Sequence, residues 1–223
     1  MQEWRVRSSF NNGSIAGMKI GIIGSGMIGA TAARLFVNAG HDVALSNSRG
    51  PASLSAVVAE LGPRAQAMTV ADAARWAEIV LLAVPWRAPE ALPPADAVAG
   101  KIVIDAMNPY AEDGSVSDLG ATTSSEVTRK RLPGARLVKA FNTIWFKHLA
   151  ERARPERPVD ERHAIFVAGD DDSAKRTVIG LIEAIGFGAV DTGSLAEGGR
   201  RQQPGTSLYN QVITVRDARA LIP

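Results

Sequence analysis

An α/β fold is predicted, its sheet mainly parallel and covered by helices on both faces. Three observations carry this expectation. Short apolar runs recur along the chain, helix-periodic segments fall between them, and the first run leads straight into a glycine-rich loop. A strand buried on both faces reads as a near-continuous hydrophobic run, because such a sheet has no solvent side. Helical patterns between the runs supply the crossovers that parallel neighbours require.

The elements follow in order. Lys19-Ile20-Gly21-Ile22-Ile23 is the first strand. Ile28, Ala32, Leu35 and Phe36 then recur at helical spacing until Gly40 ends the helix. A second strand is expected at Asp42–Ser46, then a helix with Pro51 in its favoured first turn. Ile79–Val84 reads as a strand stopped by Pro85, and Ile102–Ile104 as another, ending in Asp105-Ala106-Met107-Asn108-Pro109. Leu137–Ala140 and Ala164–Ala168 follow. Asp170-Asp171-Asp172-Ser173 caps a helix whose apolar residues Ala174, Val178, Leu181, Ile182 and Ile185 share one face. The last strand is expected at Ala189–Asp191. Between them, Glu151–Arg162 carries Pro155, Pro158 and four arginines and reads as an exposed loop.

Composition narrows the function. With 46% hydrophobic and 22% charged residues the chain has the balance of a soluble globular protein. A formal net charge of +2 is too small for a nucleic-acid partner, which needs a clustered basic face. The absence of cysteine removes disulfides, thiolate nucleophiles and thiolate metal sites, and fits a reducing, cytoplasmic setting. No apolar run approaches the roughly 20 residues needed to cross a bilayer. Residues 1–17 are polar, lack the apolar core of a secretion signal, and read as a flexible N-terminal extension or leader before Met18.

The glycine loop carries the chemistry. In a Rossmann-type dinucleotide fold, Gly24 would allow the tight turn, Gly26 the approach of backbone to a pyrophosphate, and Gly29 close packing of helix on strand. Phosphates are then held at the helix N-terminus, where free N–H groups and the helix dipole favour negative charge. A glycine pattern alone is weak evidence. This one follows a strand, opens a helix and precedes a second strand, as that fold requires.

The tip of the second strand selects the nucleotide. NAD enzymes place a carboxylate there, about 20 residues on, to accept from the ribose 2′-hydroxyl. Here the residues are Ser46-Asn47-Ser48-Arg49. Nothing repels a 2′-phosphate, Asn47 and Ser48 offer hydrogen bonds, and Arg49 offers a charge-assisted pair. NADP is therefore expected over NAD.

Three further strand ends carry unusual residues: Pro85-Trp86, Asn108-Pro109-Tyr110 and Phe141-Asn142-Thr143-Ile144. Ligands of open α/β sheets lie at the carboxyl ends of the strands, so these segments are expected to wall the reacting pocket. Trp86 and Phe141 would present apolar faces, with Asn142 and Thr143 as polar anchors. Conventional acid–base groups are missing. There is no Tyr-x-x-x-Lys pair, His41, His148 and His163 read as surface residues, Lys139 sits inside a strand, and no metal-ligand spacing occurs. A hydride acceptor that needs no protein base, such as a flavin or deazaflavin ring, suits this inventory.

The glycine loop, Ser46-Asn47-Ser48-Arg49, Val84-Pro85-Trp86, Val138-Lys139-Ala140-Phe141-Asn142-Thr143-Ile144, Ala168-Gly169-Asp170-Asp171 and Asp191-Thr192-Gly193-Ser194-Leu195 occur in one order. From Met18 to Tyr209 that series resembles the NADP oxidoreductases dependent on the deazaflavin coenzyme F420. More distantly it resembles the NADPH-oxidising domain of six-transmembrane metalloreductases. The resemblance implies one Rossmann-type, doubly wound domain over residues 18–223 with a small C-terminal extension, usually as a homodimer. It implies direct hydride transfer between the nicotinamide C4 and a stacked deazaflavin ring. By position, Gly24, Ser25, Gly26, Met27, Ile28 and Gly29 would hold the pyrophosphate, and Asn47, Ser48 and Arg49 the 2′-phosphate. Ala83, Val84, Pro85, Trp86, Asn108, Asn142, Thr143 and Ile144 would line the nicotinamide and acceptor pocket.

One departure stands out. Where the deazaflavin enzymes tend to carry His-Thr-Ile, this chain carries Asn142-Thr143-Ile144, which leaves a free flavin or another small-molecule acceptor open. An NADPH sensor without catalysis is a second class. An imine or hydroxyacid reductase is a third, but only about 30 residues follow Asp191, too few for the helical dimerisation domain such enzymes carry. Arg152, Arg154, Arg157, Arg200 and Arg201 could receive an acidic acceptor tail, though arginines of this kind are more often a solvated surface.

Overall fold

The computed structural model describes residues 17–222. The extension expected over residues 1–17 therefore lies, apart from Gly17, outside the described residues. Strand β1 (Lys19–Ile23) leads through the glycine loop into α1 (Met27–Asn38), then β2 (Asp42–Ser46), α2 (Ser55–Leu61), β3 (Ala65–Ala67), α3 (Val70–Trp76) and β4 (Ile79–Leu82). The second half runs α4 (Ala95–Val98), β5 (Ile102–Asp105), α5 (Ser124–Arg131), β6 (Arg136–Lys139), α6 (Phe146–Glu151), β7 (Ala164–Gly169), α7 (Asp172–Ala184), β8 (Gly188–Asp191), α8 (Glu197–Arg201) and α9 (Val215–Arg219).

The eight strands form one sheet in the order β3-β2-β1-β4-β5-β6-β7-β8. All neighbours are parallel except β6 and β7, which meet antiparallel at Val138↔Gly169 and Lys139↔Ala168. The order reverses between β1 and β4, the switch point at which doubly wound sheets bind their ligands.

Side-chain alternation along the strands builds a core on each face. Ile79, Leu81, Ile102 and Ile104 join Phe36 of α1 and Leu181 of α7 on one side. Val80, Leu82 and Val103 join Ala73, Ala74 and Val98 of α3 and α4 on the other. Each large aliphatic side chain so buried stabilises by about 1.5–3 kcal/mol over its exposed state. Asp171 caps α7 as expected, accepting from the N–H groups of Ser173 at 2.9 Å and Ala174 at 3.0 Å.

Several expectations need correction. β4 ends at Leu82 rather than Val84, because the chain leaves the sheet to pass beside Gly24. β6 begins one residue early and ends at Lys139. Pro51 opens a single 3-10 turn, Pro51–Leu54, and the α-helix starts only at Ser55. β3 and α3 carry no strong apolar run, so the sequence pattern does not mark them; Thr69 starts α3 by accepting from the Asp72 N–H at 3.1 Å. Two of the three expected surface histidines are buried. His41 is wholly enclosed, its ring edge-on to Phe36 at 6.1 Å, and His163 is wedged between His148 and Phe187.

Candidate nucleotide and acceptor site

The loop after β1 has the geometry its glycines imply. Gly24 adopts φ +111°, a conformation L side chains rarely enter, and a Cβ there would lie 2.3 Å from the Ala83 carbonyl oxygen. At Gly29 a Cβ would fall 1.9 Å from the Gly24 carbonyl oxygen, so only glycine lets α1 sit this close to the loop. Gly26 differs. A Cβ on it would meet nothing within 4 Å, because its face is open space. No side chain caps α1 and no acidic residue stands in its first turn. The N–H groups at this helix end and the dipole behind them favour an anion laid across Gly26.

Beside that loop lies a cavity of about 830 Å³, bounded by Gly24–Gly26, Asn47–Arg49, Val70, Ala83–Pro85 and Glu90 among others. Its polar end is the tip of β2. Asn47 is more committed than expected: its Nδ2 donates to Ser25 Oγ at 3.1 Å and Ser53 Oγ at 3.0 Å, and its Oδ1 accepts from the Arg49 N–H at 3.0 Å. It pins the β2 turn to the glycine loop. Ser48 and Arg49 are exposed at the rim. The glycine cradle, the uncapped helix end and a β2 tip without a carboxylate fit a dinucleotide carrying a 2′-phosphate.

A second cavity, of about 500 Å³, shares Gly26, Ala83, Val84 and Pro85 with the first and continues over the ends of β4, β5 and β6. Met27, Ile28, Trp86, Asn108, Asn142 and Ile144 line it. Trp86 is half-buried; its indole N–H donates to the Ser124 carbonyl at 3.2 Å and its ring carries the Arg131 guanidinium at 4.9 Å. Asn142 is almost fully buried. Its Nδ2 donates to Asn108 Oδ1 at 3.1 Å and to the Gln202 carbonyl at 2.8 Å, while its Oδ1 has no partner among the described residues.

Two of the residues expected to wall the pocket are enclosed. Thr143 is buried and outside the cavity lining; it acts through its carbonyl, which accepts from the Asn210 N–H at 2.9 Å. Phe141 borders the second cavity as expected, but its ring is enclosed in the core, edge-on to Phe36 at 6.3 Å. It holds φ +65°, a strained turn that swings Asn142 out of the strand. The five candidate arginines also part company. Arg152, Arg154 and Arg157 border one cavity with His163, and Arg200 and Arg201 border another with Glu197.

Sequence reasoning missed Tyr209 and Asn210, which return from the C-terminal extension to line the second cavity beside Tyr110. The Tyr110 hydroxyl donates to the Tyr209 hydroxyl at 3.0 Å, and Asn108 Nδ2 reaches the same oxygen at 3.4 Å. Burial pushes the Tyr209 phenol well above the ordinary range. The available signal was slight: Tyr209 is the one aromatic residue after Asp191.

Fold and site together are those of a Rossmann-type domain whose glycine cradle fits a dinucleotide. A family model described as NADP oxidoreductase, coenzyme F420-dependent, matches residues 19–109. Residues 19–109 thus match this NADP-dependent family, and the chain is similar to a six-transmembrane metalloreductase. Metalloreductase STEAP3 of Rattus norvegicus is 31% identical over 179 residues, 80% of this chain, which spans 34% of that protein's length. Among solved structures, a hypothetical protein from Sinorhizobium meliloti is 36% identical, with a TM-score of 0.77 over 88% of this chain and 95% of that one. A candidate F420-dependent NADP-reductase from Arthrobacter sp. FB24 is 29% identical, with a TM-score of 0.72 over 89% of this chain and all (100%) of that one. Imine reductase from Aspergillus terreus, at 19% identity and TM-score 0.60 over 82% of this chain and 58% of that one, shows the fold alone. No helix among the described residues is long and apolar enough to cross a membrane.

Proposed function

We propose that the protein transfers a hydride between NADPH and a planar acceptor of the deazaflavin (F420) or flavin type. The carrying observation is that the two cavities share Gly26 and Ala83–Pro85, so one extended ligand running across the first turn of α1 reaches both. In this reading the pyrophosphate crosses Gly24–Gly29, Ser48 and Arg49 receive the 2′-phosphate, and the nicotinamide enters beside Val84, Pro85 and Ile144. The acceptor ring then lies against Met27 and Trp86. Direct hydride transfer asks the chain to orient two rings and exclude water, which this pocket suits better than acid–base work.

The test is a panel of coenzyme F420, FMN and FAD, each with NADPH and with NADH, followed by loss of reduced-nicotinamide absorbance. Acceptor-dependent oxidation preferring NADPH is expected. Tight NADPH binding without oxidation by any of the three would identify a sensor and overturn the catalytic reading.

A further inference from the structure

The Tyr110–Tyr209 pair is a polar device in the second cavity that hydride transfer as described above leaves unused. Its hydrogen bonds can be counted. Asn108 is fixed in orientation, since its Nδ2 lies 2.8 Å from the Asn142 backbone carbonyl, which can only accept, and its Oδ1 receives Asn142 Nδ2. The second Nδ2 hydrogen of Asn108 points to Tyr209 Oη, and the Tyr110 hydroxyl donates to the same oxygen. Tyr209 therefore accepts twice. Its own proton has no acceptor among the described residues, and both tyrosines line the cavity.

We propose that the Tyr209 hydroxyl donates a hydrogen bond to the polar edge of the hydride acceptor, a carbonyl oxygen or ring nitrogen of a flavin- or deazaflavin-type ring. This rests on the acceptor reading above. Such an edge gains electron density as hydride arrives, so the bond strengthens along the reaction and supports rate more than binding. Burial keeps the phenol protonated throughout the neutral range, so it serves as a fixed donor rather than an acid. Position is secured from two sides. Leu208 is buried beside Tyr209, and the Asn210 N–H is bonded to Thr143 with Asn210 at φ +60°, so the tail is anchored where Tyr209 enters the site. Tyr209 would then be a catalytic residue by contact, and Tyr110 and Asn108 positioning residues.

The experiment compares the full-length wild type with Tyr209→Phe and Tyr110→Phe, using FMN and coenzyme F420 as probes at saturating NADPH. Loss of one charge-assisted hydrogen bond lowers kcat by roughly 10–100-fold in Tyr209→Phe, with the NADPH KM unchanged. Tyr110→Phe breaks the same pair bond but keeps the Tyr209 proton, so its kcat falls by less than about tenfold. A purely structural pair predicts equal losses in the two variants, and that result would overturn the proposal. A readout independent of turnover is titration of each probe onto protein saturated with NADP⁺. There Tyr209→Phe should weaken binding roughly threefold to tenfold and remove the probe's absorption shift, while Tyr110→Phe retains the shift. If the wild type reduces a probe and Tyr209→Phe matches it in rate and affinity, this inference alone fails. If the wild type neither binds nor reduces either probe, the acceptor reading fails and takes the inference with it.

Discussion

Lys139 and Asp105 face each other across adjacent strands, register partners on β6 and β5, with Nζ and Oδ2 3.4 Å apart and both side chains excluded from solvent. Asp105 is further held by the Ser125 hydroxyl at 2.8 Å and the Met107 N–H at 3.0 Å, while Lys139 also donates to the Met107 carbonyl. The pair thus fixes the strand end from which Asn108 reaches the second cavity. Burial pulls the Lys139 ammonium below the usual lysine range, opposed by Asp105.

Replacing Lys139 by Met leaves a buried carboxylate without its cation. The expected loss is about 3–5 kcal/mol of unfolding free energy, measured by urea denaturation. Adding Asp105→Asn should recover a large part of it. A double variant no more stable than Lys139→Met would mean that the carboxylate is not what makes the single change costly.

Gly26→Ala separates folding from binding. Its added methyl enters open space, so the melting temperature should stay within a few degrees of wild type, by roughly the value of a helix cap. NADPH affinity should drop at least roughly tenfold, since the methyl occupies the path of the pyrophosphate. Gly29→Ala, which would meet backbone at 1.9 Å, should instead lose both stability and binding. Calorimetric titration beside a thermal melt distinguishes the two.

Arg49→Ala should raise the NADPH KM roughly tenfold to hundredfold, the worth of one charge-assisted phosphate contact, and leave that for NADH nearly unchanged. Arg49 is exposed and engages Asn47 only through its main chain among the described residues, so the substitution removes little structure. Equal effects on the two nucleotides would remove the 2′-phosphate assignment.

Stability should fall with acid in a window set by His163. Burial first, then Arg152 and His148, lowers its pKa from 6.5 to about 4. The unfolded chain therefore binds the proton that the folded chain refuses, and the unfolding free energy rises with pH across that interval. Its contribution is complete above pH 6.5 and is lost as pH drops towards about 4. His41, lowered chiefly by burial, acts in the same direction. Denaturation midpoints collected from pH 4 to 7 should show a shallower slope in His163→Gln; an unchanged slope would place the titration elsewhere.

Phe141→Ala should cost about 3–5 kcal/mol through the void it leaves against Phe36, although the residue also borders the second cavity. A loss below about 1 kcal/mol in chemical denaturation would show that the ring is not part of the core.

The sequence by itself determined what depends on neighbours in the chain. The buried strands, the three glycines with their distinct tasks, the Asp171 cap and the β2 tip without a carboxylate are all local patterns, because strand period, helix capping and φ preference act within a few residues. Only the tertiary structure decided what depends on distant segments meeting. Tyr209 reaches Tyr110 across 99 positions of chain, and Asn142 reaches the Gln202 carbonyl across 60. No periodicity encodes such an encounter. For the same reason His41 and His163 read as accessible in sequence yet are buried: Phe36 of α1 covers one, and His148 of α6 with Phe187, just before β8, covers the other, a packing outcome that no single segment carries.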